Sequence, residues 1–156
     1  MTRDLVIGVG NEFRRDDSVG LLAVRALANR VSQTVTLLEE SGEGTALIDA
    51  LESADNVVIL DAVRSRAEPG TIHRLDAIAS NIPSGFFNYS THAFSVAEAI
   101  EMLRTISTLP AHLVVLGIEG GDFSAGTELS KPVEAAFSQY LDAAETEIHN
   151  MTMITP

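Results

Sequence analysis

Acidic side chains stand just behind the apolar runs of this chain, and one histidine opens a helix in step with them. Asp17 comes after Leu5-Val6-Ile7, Asp61 directly after Val57-Val58-Ile59-Leu60, and His92 after a long irregular stretch. Glu39, Glu40 and Glu43 follow Val35-Thr36-Leu37-Leu38, while Glu119 and Asp122 follow the run from His112 to Ile118. Two carboxylates and one imidazole (Asp17, Asp61 and His92) suit a borderline divalent ion such as nickel, zinc or manganese, with coordination positions left open. Each residue also has a plainer use. Asp16, Asp17 or Ser18 could cap the next helix or complement its dipole. Asp61 could form a turn, and His92 could donate to a loop carbonyl. His73 and His112 lie within or beside apolar runs and read as surface or core residues.

The elements that must position these residues are legible as patterns. Leu5 to Val9 is a short β-branched run, and Gly8 and Gly10 let the backbone behind it turn and approach a neighbour closely. Val19, Leu22, Ala23, Ala26 and Leu27 then share one helical face. Val35–Leu38 and Val57–Leu60 are two further strands; the latter is apolar throughout, as in a sheet covered on both faces. Gly42 and Gly44 mark a loop, after which Thr45 can cap a helix over residues 46–51. Glu68-Pro69-Gly70 is a turn, and residues 71–75 alternate like a short, half-exposed strand, as at an antiparallel edge. A helix begins between Thr91 and Ser95, with Ala93, Val96, Ala97, Ile100 and Leu103 on its buried face. Ser95 and Glu98 have capping-box spacing. His112–Ile118 is the last strand. Ser130 caps the last helix and Pro132 fits its first turn, and the apolar stripe runs from Val133 to Ile148.

Strands alternating with helices predict an α/β protein. Its expected architecture is a three-layer α/β/α sandwich around a mainly parallel twisted sheet of about five strands. Ligands of such sheets bind beyond the carboxyl ends of the strands, so the acids named above converge on one edge. Residues 1–150 are expected to form a single domain. Residues 151–156 read as an unstructured, vector-derived tail.

Composition narrows the partners. The 156 residues carry 22 acidic against 10 basic side chains, a net charge of −12, which disfavours a nucleic-acid partner. Cysteine is absent, so disulfides, thiolate ligands and a cysteine nucleophile are excluded. No run approaches a membrane span, and no signal peptide is recognisable. A soluble, cytoplasmic, monomeric protein with no membrane partner is expected.

Two chemistries compete for the first loop. Gly8-Val9-Gly10 begins a dinucleotide-binding pattern, with Glu39 or Glu40 available for a ribose, but Phe13 stands where the third glycine belongs. The alternative is presentation of a carboxylate to a metal or a reacting group. No elbow motif for a serine nucleophile is present.

Gly8-Val9-Gly10-Asn11 followed by Asp16-Asp17-Ser18-Val19-Gly20 resembles the N-terminal signature of the hydrogenase maturation endopeptidases. Further similarities run in order: Gly44-Thr45, Asp61-Ala62, Pro69-Gly70-Thr71, Ser90-Thr91-His92, Gly117-Ile118-Glu119 and Leu129-Ser130-Lys131-Pro132-Val133. Together they span roughly residues 4–145. The resemblance implies an endopeptidase that removes a C-terminal extension from the large-subunit precursor of a nickel–iron hydrogenase, after nickel insertion. It implies that Asp17, Asp61 and His92 contact nickel supplied by the precursor rather than held permanently. It departs from this chain in the second loop. Where the family often has an aspartate before Gly-Gly-Thr, this chain reads Glu40-Ser41-Gly42-Glu43-Gly44-Thr45. Glu40 or Glu43 replaces that acid, or its role is absent. A non-enzymatic nickel-handling factor would use the same three residues without cleaving anything.

Overall fold

A computed structural model describes residues 2–41, 44–87 and 95–153. The strands are β1 (Asp4–Val9), β2 (Val35–Glu40), β3 (Asn56–Val63), β4 (Ile72–Asp76) and β5 (His112–Glu119). The helices are α1 (Val19–Leu27), α2 (Gly44–Glu52), α3 (Val96–Ile106) and α4 (Lys131–Thr152). Short 3-10 turns cover Arg15–Ser18 and Ser84–Phe87. The strands form one sheet in the order β2-β1-β3-β5-β4. Four are parallel, and β4 pairs antiparallel with β5 at the edge.

Every residue of β1 and β3 is buried. A strand buried at every position needs cover on both faces. Helices α1 and α4 pack together against β1, β3 and β5, while α2 and α3 pack on each other. One pair cannot cover both faces, so the pairs take opposite sides and complete the three-layer sandwich. Their buried leucines, Leu27, Leu47, Leu51 and Leu103, join one continuous core with the strands. Among the described residues no helix is long and apolar enough to cross a membrane.

The expected edge strand forms as β4, half-buried on either side of the exposed Arg74. The Ser95 capping box also forms: Ser95 Oγ accepts from the Glu98 amide at 3.4 Å, and Glu98 Oε2 accepts from the Ser95 amide at 3.3 Å. Ala93, on the expected buried face of α3, lies outside the described residues.

Four expectations change. Asp61 and Glu119 lie inside their strands rather than behind them, because the β3–β5 ladder runs on through Asp61↔Gly117 to Val63↔Glu119. Helix α2 already begins at Gly44, so Thr45 is within it. The buried side of α1 includes Leu21 and Val24, with Leu22 and Ala26 only half-buried. Residues 151–152 are not an unstructured tail: α4 runs through Thr152, and Met151 is fully buried in the core.

Candidate active site

The loop behind β1 is folded tightly onto itself. The Asn11 amide donates to the Asp17 carbonyl at 3.2 Å, the Arg14 amide to the Asn11 carbonyl at 3.2 Å, and the Asp17 amide to the Arg14 carbonyl at 2.9 Å. Asn11 Oδ1 accepts from the Phe13 amide at 2.9 Å, an Asx turn that starts the reversal. A side chain at Gly10 would collide with the Asp17 carbonyl, so only glycine lets the loop close over Asp17. Helix α1 then starts against the sheet. At Gly20 a Cβ would lie 2.6 Å from the Val9 carbonyl oxygen and would also collide with the Leu60 carbonyl. The Leu60 carbonyl belongs to the peptide bond leading into Asp61. Asp17, three residues before Gly20, is thereby brought to the end of β3 that carries Asp61.

Both carboxylates are nearly out of water, Asp17 at 6% exposure and Asp61 at 3%. A buried carboxylate keeps its charge only where donors or a cation compensate it. Each has polar interactions of its own. Beside Asp61 lies the fully buried Tyr140, whose hydroxyl donates to the Leu116 carbonyl at 2.6 Å. Burial pushes this phenol well above its ordinary range, and the Asp61 charge pushes it in the same direction, while a hydrogen bond with the Asp61 backbone works against both. Tyr140 is therefore a neutral donor at any physiological pH. Its place in the apolar stripe of α4 gave no sign of this polar duty.

His92 and Glu43 lie outside the described residues. Among the described residues no three His, Asp or Glu side chains gather as a metal-holding group. Glu40 is half-buried, and its carbonyl accepts from the Gly10 amide at 3.0 Å.

Asp16 does what neither cap nor dipole reasoning anticipates. It is fully buried. Its Oδ2 accepts from the Gly121 amide (2.7 Å), the Asp122 amide (2.9 Å) and Ser130 Oγ (2.7 Å), and its Oδ1 from the Ser130 amide (2.7 Å). It thus clamps the β5–α4 loop to the Asp17 turn. The loops are further joined by Arg15 N–H to the Gly126 carbonyl (3.0 Å) and Gly126 N–H to the Phe13 carbonyl (2.9 Å). Ser130, expected as a side-chain cap, spends its hydroxyl on Asp16 instead. Asp122, above this clamp, has its carboxyl held below the usual range by hydrogen bonds from Ser124.

A third buried acid, Glu119, organises the other side of the edge. Its Oε2 accepts from the Ser65 amide at 2.7 Å, and its Oε1 accepts from Ser65 Oγ at 2.6 Å and lies 3.0 Å from His73 Nε2. Serine, histidine and glutamate meet here, but not as a nucleophilic triad. Hydroxyl and imidazole address the same carboxylate oxygen, so the ring is not placed to take the serine proton.

The dinucleotide reading loses its groups. The Gly10 and Asn11 amides are already bonded to Glu40 and Asp17 carbonyls. Glu39 is held by Arg25, Nε to Oε2 at 2.9 Å and Nη2 to Oε1 at 2.7 Å. That guanidinium, chiefly through its hydrogen bond, keeps the Glu39 carboxyl below its ordinary value.

Known proteins resemble this chain in sequence and in fold. The family described as hydrogenase maturation protease matches residues 22–147. The chain is 31% identical over 148 residues to the hydrogenase expression/formation protein HupD of Bradyrhizobium diazoefficiens, covering 91% of this chain and 76% of that protein. It is 29% identical over 144 residues to the hydrogenase 2 maturation protease of Escherichia coli, covering 90% and 87% respectively. The solution structure of an endopeptidase from Escherichia coli superposes with a TM-score of 0.79 at 26% identity, covering 95% of this chain and 93% of that one.

Proposed function

The chain belongs to the hydrogenase maturation protease family, and on that footing we propose that it removes the C-terminal extension from a nickel–iron hydrogenase large-subunit precursor once nickel is in place. The observation that supports this mechanism is the burial of two carboxylates, Asp17 and Asp61, with α1 starting against the Leu60 carbonyl at the end of β3. With His92 they offer two oxygen donors and one nitrogen donor, the set a borderline ion accepts. The set contains no thiolate, because the chain contains no cysteine. It binds such an ion weakly on its own and firmly only when the precursor brings its own ligands. Nickel is then part of the substrate, and Asp17, Asp61 and His92 read whether it is there.

The same residues serve the cleavage. An ion bridging enzyme and precursor can polarise the scissile carbonyl or activate a water. Asp17 and Asp61 would supply the fixed negative charge and the proton acceptor that either route needs. One copy supplies the whole donor set, so a monomer suffices. A cytoplasmic site of action belongs to the same proposal.

The test is to mix the enzyme with nickel-free and nickel-loaded precursor, under a chelator that strips free metal but not inserted nickel. Mass measurement should show the extension lost from the loaded form alone, and the enzyme should purify without stoichiometric nickel. Equal cleavage of both forms would end this account of Asp17, Asp61 and His92.

A further inference from the structure

Arginines are scarce in this acidic chain, and where they occur most are spoken for. Arg15, Arg25, Arg30, Arg74 and Arg104 each pair with at least one carboxylate. Arg64 and Arg66 do not: both are exposed, and among the described residues neither has a carboxylate partner. Both stand on the loop that leaves the carboxyl end of β3, just past Asp61.

Their placement is built rather than incidental. The Arg64 guanidinium lies over the Phe123 ring, 5.8 Å from its centroid. Arg14 Nε donates to the Phe123 carbonyl at 3.3 Å. Gly120 separates the Phe123 ring from the Asp16 side chain with no room for a Cβ. Arg64 is thereby fixed beside the Asp16–Asp17 turn. Arg66 has φ +72°, a left-handed backbone that a side-chain-bearing residue adopts only under constraint. The constraint is visible: the Ser65 amide is tied to Glu119, and the Gly70 amide donates to the Glu119 carbonyl at 2.7 Å. The loop is therefore pinned at both ends around Arg66.

We infer that Arg64 and Arg66 form a carboxylate-docking pair that grips acidic side chains of the precursor's extension beside the scissile bond. This rests on the function proposed above. With a net charge of −12, most of the surface repels an acidic peptide, so two guanidinium groups without a carboxylate partner, just past the Asp61 end of β3, give it a place to settle. A planar guanidinium binds a carboxylate bidentately, which fixes orientation as well as position. The free C-terminal carboxylate is the lesser candidate, because it lies near the scissile bond only in a very short extension.

The test combines Arg64→Gln with Arg66→Gly. Glycine at 66 accepts the left-handed backbone, so loss of the side chain there does not come with new strain. With nickel-loaded precursor, KM should rise about fivefold to tenfold, with kcat nearly unchanged. Added salt should raise KM for the wild type and much less for the variant. Changing the extension's Asp and Glu residues to amides should raise KM for the wild type and leave the variant indifferent. Amidating the extension's C-terminus should change nothing. An unchanged KM in the folded double variant, or dependence on the C-terminal carboxylate alone, would overturn the inference. If the wild type cleaves no loaded precursor, the proposed function falls, and binding of a fluorescein-labelled extension peptide decides the docking pair. Weaker binding by the variant supports it, and equal binding overturns it.

Discussion

Asp16 and Asp17 are adjacent, chemically identical and assigned opposite work. The Asp16 carboxylate is satisfied four times over by the β5–α4 loop, so its removal strands four donors at once. Asp16→Ala should lose about 3 kcal/mol or more in urea denaturation, since each buried orphan costs on the order of 1 kcal/mol or above. Asp17→Asn keeps the shape of a buried side chain and should leave the denaturation midpoint nearly in place. It should lower kcat/KM for nickel-loaded precursor about 100-fold or more, as loss of a carboxylate that serves the reacting centre does. His92→Ala should behave like Asp17→Asn, because it removes the sole nitrogen donor of the proposed set. Normal turnover by a folded His92→Ala protein would remove His92 from the site. Only one of these two acids is singled out by the sequence. Asp17 can be picked out by its place behind a strand and by the family signature. Asp16 cannot, because its partners stand 105–114 residues away and no local pattern points to them.

At the scale of elements, the seating of α1 on β1 and β3 sets the geometry of the site. Gly20→Ala would push a methyl group to 2.6 Å from the Val9 carbonyl and into the Leu60 carbonyl. Backbone atoms on both sides cannot step aside, so a loss of about 3 kcal/mol, measured by thermal or urea melting, is expected. A second tie joins α1 to β2 through Arg25 and Glu39. The sign of its pH dependence follows from the lowered Glu39 carboxyl. A depressed folded value means the tie contributes above the ordinary value of 4.5 and is lost as pH falls through the folded value. Arg25→Gln should therefore be slightly less stable than the wild type at neutral pH, and the gap should close on acidification. The elements themselves were mostly readable. Apolar runs gave the parallel strands, alternation gave the edge strand, and Ser95 with Glu98 gave the start of α3. What was not readable was decided by partners. Asp61 and Glu119 read as loop acids, yet each continues a ladder that its neighbour strand supplies. Met151 read as part of a tail, yet α4 carries it into the core.

The whole molecule divides its acids between two ends of one sheet. At the carboxyl edge stand Asp17 and Asp61, the carboxylates proposed for the reaction. Toward the amino edge Glu147, late in α4 and 7% exposed, accepts from Arg74 of β4, Nε to Oε2 at 2.8 Å and Nη2 to Oε1 at 3.0 Å. His112 Nε2, at the start of β5, is 3.4 Å from the same carboxylate. This cluster pins the last helix across the edge strand. It lies away from the Asp17 turn, the end of β3 that carries Asp61 and the loop that holds Arg64. Glu147→Gln keeps the volume but halves the acceptors offered to Arg74. Since Arg74 is half-exposed and water replaces part of the lost interaction, the expected cost is about 2 kcal/mol rather than that of a fully buried pair. Cleavage of nickel-loaded precursor should stay within about twofold of the wild type at a temperature where the variant is folded, because additivity holds for separated sites. Asp17→Asn should show the converse, an unmoved melt and lost cleavage. Combining the two substitutions should add their effects, each in its own measurement. If Glu147→Gln slowed cleavage while fully folded, α4 would be transmitting strain from one end of the sheet to the other, through Tyr140 to Asp61. The two ends would then have to be treated as one coupled site.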